Sequence, residues 1–155
     1  MTIAPIVKTV TVKATPAKSF DLFTNRISTW WKAGETLGKS PHQAIIIEPK
    51  VGGRWMERDA DGKEIQWGKV LAWEPAKRLL LAWQINTNFK YDPDLITELE
   101  ISFAPAKAGG TVVKLEHRNL ERLGAGAETF VGMLDAGWLR HVTAVAAFIE
   151  EEKNK

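Results

Sequence analysis

The strongest constraint in this sequence is a change of hydrophobic period near Gly124. From Ala44 to Arg118 the apolar residues fall in short runs divided by turn residues, several with strict alternation. From Phe130 onward, Phe130, Leu134, Trp138, Val142, Val145 and Ile149 step by three or four, the signature of one face of a helix about six turns long. Strands in one run followed by a long amphipathic helix point to an α+β fold rather than a parallel α/β sheet, because the buried face of the sheet has the helix to cover it.

Within the run, the spacing predicts strands over Ala44–Glu48, Arg54–Arg58, Ile65–Trp73 and Leu79–Ile85, with a loop around Asp92-Pro93-Asp94. Leu95, Thr97, Leu99, Ile101 and Phe103 alternate with Glu98, Glu100 and Ser102, so this strand has one buried and one wet face. Thr111, Val113, Leu115 and His117 share one side of the next strand. Gly52-Gly53, Asp61-Gly62 and Gly109-Gly110 supply the turns. Upstream, Ile6–Lys13 reads as a strand. Thr15 is placed to cap a helix with Pro16 at its first position, and Phe20, Phe23, Ile27 and the Trp30-Trp31 pair follow at helical spacing, giving two short helices that stop before Gly34 and Gly38. There is no internal repeat and no low-complexity linker, so residues 1–155 are read as one domain.

Charge and motif content narrow the chemistry. The formal net charge is +2, with Lys and Arg interspersed among Asp and Glu, so no basic stripe marks a nucleic-acid partner. No segment approaches the length of a membrane span and no signal sequence stands at the N-terminus; a soluble, cytoplasmic protein is expected. Cysteine is absent, and His42, His117 and His141 lack metal-ligand spacing, so neither a metal nor another cofactor is expected. Gly38-Lys39-Ser40 looks like the end of a phosphate-binding loop, but Ala33 stands where the first glycine is required.

Seven tryptophans, Trp30, Trp31, Trp55, Trp67, Trp73, Trp83 and Trp138, are spread across these elements. Several sit in a recognisable series: the Trp30-Trp31 pair, Gly52-Gly53-Arg54-Trp55 with Glu57 and Arg58, Trp67-Gly68-Lys69-Val70, Trp73-Glu74-Pro75, Leu79 to Trp83, Thr97-Glu98-Leu99 and Gly137-Trp138. In this order the series resembles the activator-of-Hsp90-ATPase-like (AHSA-type) branch of the START/Bet v 1-like, or SRPBCC, superfamily, which includes bacterial polyketide cyclase and lipid transport proteins. Lys32 follows the Trp pair where similar bacterial sequences often have Pro. The resemblance implies a helix-grip fold, a curved antiparallel sheet wrapped around the C-terminal helix, with a cavity between them that opens near the short helices.

That cavity implies a small hydrophobic or aromatic ligand, lipid- or polyketide-like, as the partner. The resemblance places Trp30, Trp31, Trp55, Trp83 and Trp138 around it, and Leu134 lies one helical turn before Trp138 on the same face. Any one of these indoles also reads as plain core filling. His117 falls on the inner face of its strand, where an imidazole orients a ligand, moves a proton, or is simply a hydrogen-bonded core residue. If Trp55 faces inward, Glu57 does too, and a carboxylate facing His117 makes an acid and base pair; an ordinary salt bridge from Glu57 to a neighbouring Arg is the plainer alternative. Three functions follow as expectations: ligand binding without catalysis, a cyclase or dehydratase using His117 and Glu57, and contact with the Hsp90 chaperone. For the last, the eukaryotic proteins behind the family name carry an additional domain that this chain has no room for. Monomer and homodimer are both open.

Overall fold

The computed structural model describes residues 2–32, 35–38 and 42–155, the side chains of His42 and Gln43 excepted. Gly34 and the Ala33, Lys39 and Ser40 of the phosphate-loop comparison lie outside the described residues. The strands are β1 (Ile6–Val12), β2 (His42–Ile47), β3 (Arg54–Asp59), β4 (Glu64–Glu74), β5 (Arg78–Trp83), β6 (Thr97–Pro105) and β7 (Thr111–Arg118). The helices are α1 (Pro16–Asn25), α2 (Ile27–Trp30) and α3 (Ala127–Glu152), with a 3-10 turn at Leu120–Leu123 that the periodicity did not announce. The strands form one antiparallel sheet in the order β1-β7-β6-β5-β4-β3-β2, curled around α3.

Local chemistry explains the boundaries. Thr15 Oγ1 accepts the Lys18 amide at 3.1 Å and Pro16 opens α1, so capping and a preset φ start the helix together. Arg26 leaves helical geometry between α1 and α2, while Phe20, Phe23, Ile27, Trp30 and Trp31 all remain buried on the inner side. Since β1 and β2 form opposite edges of the sheet, these short helices carry the chain from one edge to the other and pack on α3. The strands β6 and β7 bury Thr97, Leu99, Ile101 and Phe103, and Thr111, Val113, Leu115 and His117, as their alternation requires. The inward residues of α3 are those stepping from Phe130 to Ile149, joined by His141 and Phe148.

Two places depart from regular pairing, and both shape the interior. Trp55 pairs with Gly68 while Met56 pairs with Gln66, so Trp67 is the extra residue of a β-bulge. A bulge re-aims the side chain at the irregularity, and Trp67 is buried here beside Gly68. The strand expected to run to Ile85 ends at Trp83, because Asn86 folds the chain back. The Asn86 Oδ1 accepts the amides of Asn88 and Lys90, and Ile85 bridges Tyr91. This turn holds Phe89 at a positive φ of 59°.

Candidate functional site

Between α3 and the sheet lies a cavity of about 210 Å³. Its walls are Trp31, Trp67, Trp83, Trp138, Ile85, Phe130 and Leu134, and the segment Glu35–Leu37 borders it. Phe89 and Met133, 52% and 43% exposed, mark its mouth together with Arg140. An apolar cavity of roughly 150 Å³ holds a benzene ring. This one, open at one side, has room for one or two fused rings, and a larger guest must extend past Phe89 and Met133.

The four wall indoles are ordered by their own N–H groups, since a buried donor needs an acceptor. Trp31 Nε1 donates to the Glu35 carbonyl at 2.8 Å and Trp83 Nε1 to the Ile85 carbonyl at 3.1 Å. Trp31 and Trp67 lie 5.1 Å apart between ring centroids, and Trp83 and Trp138 meet edge to face at 5.6 Å. These rings are braced on their sides, so the cavity between them does not collapse by simple rotation.

Of the residues expected around the ligand, Trp31, Trp83, Leu134 and Trp138 border the cavity, whereas Trp30, Trp55 and His117 stand behind that layer. Trp55 packs against Trp31, Trp67 and Trp83, each of which faces the cavity in front of it. Trp30 donates to the Phe23 carbonyl and packs at a tilt against Trp31.

His117 is fully buried within a closed relay. Trp138 Nε1–H donates to Nδ1 at 3.1 Å, which puts the imidazole hydrogen on Nε2. Nε2 then meets Thr97 Oγ1 at 2.8 Å, and that hydroxyl donates to the Trp83 carbonyl at 3.1 Å. Burial holds the His117 pKa down at about 3, so the ring is neutral at ordinary pH. Both nitrogens are committed, and the relay ties together two of the cavity's walls, Trp83 and Trp138.

Glu57 is also fully buried, on the same side of β3 as Trp55. Its carboxylate accepts the Trp67 indole at 2.8 Å and the backbone amides of Leu37 and Gly38 at 2.6 and 3.1 Å. The expected arginine bridge is not made: Arg54 pairs with Glu48 and Glu64, and Arg58 with Glu64. Nor does Glu57 share a hydrogen bond with His117 among the described residues, because each is saturated by its own partners. The arrangement makes Glu57 the post on which the segment bordering the cavity hangs. Glu57→Gln replaces one of its acceptor oxygens by a donor, and we expect a loss of about 2 kcal/mol in urea unfolding. A change below about 0.5 kcal/mol would show that the carboxylate does not hold the segment.

The polar groups nearest the cavity escaped the sequence reading. His141 stacks on Trp31 with ring centroids 3.8 Å apart, and its Nε2 is 3.6 Å from Glu35 Oε2. Burial lowers its pKa to about 4 despite that carboxylate. Glu35 itself accepts from Arg140 Nε at 2.7 Å, and this hydrogen bond lowers the Glu35 pKa. A helical signal for His141 existed, since it stands three residues after Trp138 and seven after Leu134 on one face. Nothing local marked Glu35, which precedes the strands and reaches the helix only in the folded chain.

A family model described as Activator of Hsp90 ATPase homolog 1-like protein matches residues 13–150. Among solved structures, the chain is 39% identical to an anthrahydroquino-γ-pyrone synthase, Txn09, complexed with SUM; the match covers 86% of this chain and 88% of that one, with a TM-score of 0.61. CalC, a self-sacrificing resistance protein from Micromonospora echinospora, is 26% identical over 97% of both chains, with a TM-score of 0.72. The Aha1 dimer from Colwellia psychrerythraea, 16% identical over 96% of this chain and 97% of that one at a TM-score of 0.67, shares the fold. Among curated protein sequences none matches.

Proposed function

The chain belongs to the Activator of Hsp90 ATPase homolog 1-like family, and we propose that it binds a small aromatic, polyketide-like molecule in the cavity between sheet and C-terminal helix. The observation that carries this reading is a space of about 210 Å³, open at one side, walled by four indoles. Flat aromatic surfaces suit a flat aromatic guest, and a preformed apolar cavity pays little to receive one. The likeness to a synthase of an aromatic product, at 39% identity, supports the same class of guest.

Blocking the cavity tests it. Leu134 lies on the helix face that closes the space, so Leu134→Trp fills it from within. We expect wild-type protein to show tryptophan quenching and a raised Tm with naphthalene- and anthraquinone-type probes. The variant should bind them about thirtyfold more weakly while keeping its own Tm within a few degrees. Undiminished binding by the variant would place the guest elsewhere and end this reading.

The identity to a synthase also favours a second reading, in which the guest is turned over and His117 and Glu57 move protons. The saturated partners of both residues weigh against it, because a proton carrier needs a free position toward the substrate. Turnover that survives in a His117→Asn variant still competent in binding would exclude His117 from the chemistry. Contact with the Hsp90 chaperone is a third reading that rests on the family name alone; titration against the chaperone without heat or ATPase change would exclude it.

A further inference from the structure

The cavity is apolar along its walls and charged at its mouth. Arg140 reaches Glu35 through Nε alone, and its two terminal amino groups have no partner among the described residues. A guanidinium carries five N–H donors, so most of its capacity is unspent. One amino group, Nη2, lies 3.6 Å from the point where a Cβ on Gly137 would stand, and Gly137 lines the cavity. The unspent edge thus lies against the cavity rim rather than away from it. Lys32, exposed, adds a second positive charge that acts on Glu35. His141 contributes none at neutral pH, given its pKa of about 4. Among the described residues, Arg140 is thus the cation at the mouth, with Glu35 bound to its Nε and Lys32 acting on Glu35 from outside the lining.

We propose that the cavity selects aromatic guests bearing an anionic group, a carboxylate or acidic phenolate, and that Arg140 is the residue that binds that group. This rests on the cavity's being the ligand site proposed above and names the substrate class it takes. The planar guanidinium meets a carboxylate through two parallel N–H bonds, which fixes orientation as well as affinity. With the anion at the mouth, the rings point inward among Trp31, Trp83 and Trp138. Glu35 holds Arg140 at the rim.

The test compares two probes with the same rings, 2-naphthoate and the neutral 2-naphthalenemethanol, by tryptophan quenching at pH 7 and low salt. Wild-type protein is expected to prefer the naphthoate by about tenfold, a modest factor because Arg140 is half exposed. Arg140→Met keeps an apolar stem of similar reach; it should erase the preference while leaving the Kd for the alcohol within about twofold. Added salt should weaken the naphthoate alone. Equal affinity for the two probes in wild-type protein overturns the proposal and leaves the cavity reading standing. So does an Arg140→Met variant that loses both probes equally. Failure of both probes to bind overturns the cavity reading and this inference together.

Discussion

On acidification from pH 7 to pH 5 the folded state should lose about 3–4 kcal/mol, well before the carboxylates titrate. Two buried histidines are the cause. Burial holds His117 at about 3 and His141 at about 4, against an ordinary value near 6.5. Below pH 6.5 the unfolded chain takes up a proton at each site that the folded chain refuses, so stability rises with pH and is fully present only above that value. Each histidine adds a slope of about 1.4 kcal/mol per pH unit until the pH reaches its folded pKa. The carboxylates with lowered pKa, such as Glu35 and Glu100, push in the same direction but only at lower pH, so the interval from 6 to 5 belongs to histidine. His141→Phe keeps a ring on Trp31 and removes one titrating group. Urea unfolding across that interval should lose one proton's worth of slope in this variant and another in His117→Asn. A slope unchanged in both would mean that these imidazoles titrate alike in the two states.

Gly68→Ala should cost more than about 3 kcal/mol, and expression as an insoluble chain would fit the same cause. A Cβ at this position would stand 1.8 Å from the Ala82 carbonyl oxygen, a backbone atom of the neighbouring strand that has no rotamer to escape into. Gly68 pairs with Trp55 on one side and Trp83 on the other, and the gap it leaves lets those two indoles meet at 5.7 Å across the strand between them. The glycine is thus a condition for the tryptophan layer as well as for the sheet. Circular dichroism and thermal melting of the variant check this; a Tm within about 2 °C of wild type would show that the strands part without cost.

Much of the frame was legible because its signals are local. The period of two in β6 and β7, the period of three and four in α3, and the Thr15-Pro16 start of α1 each follow from which side chains must be dry along a few turns or a few residues. The helix-grip fold and its family came from the same elements in order, through resemblance. Trp55 and Glu57 were tied to one face by alternation, and both are buried there. The Asn86 turn is also written locally, in a side chain that accepts two following amides, but its signal is weaker than that of Asp92-Pro93-Asp94 a few residues on.

The site was legible only in its ingredients. Seven indoles in the sequence do not say whether they fill a core or border a space, because a cavity is a mismatch between surfaces brought together from the segment after α2, β4, β5 and α3. The bulge that turns Trp67 inward depends on β3 pairing, and the turn that brings Phe89 to the mouth depends on where β5 stops. His117 was placed on the inner face by alternation, but that its two nitrogens are spent on Trp138 and Thr97 required residues twenty and twenty-one positions away to arrive at hydrogen-bonding distance. The Glu35–Arg140 pair spans 105 positions. Periodicity is a property of neighbours along the chain, so the sequence by itself determined which faces are buried; partners and empty volume are properties of neighbours in space, and only the tertiary structure decided those.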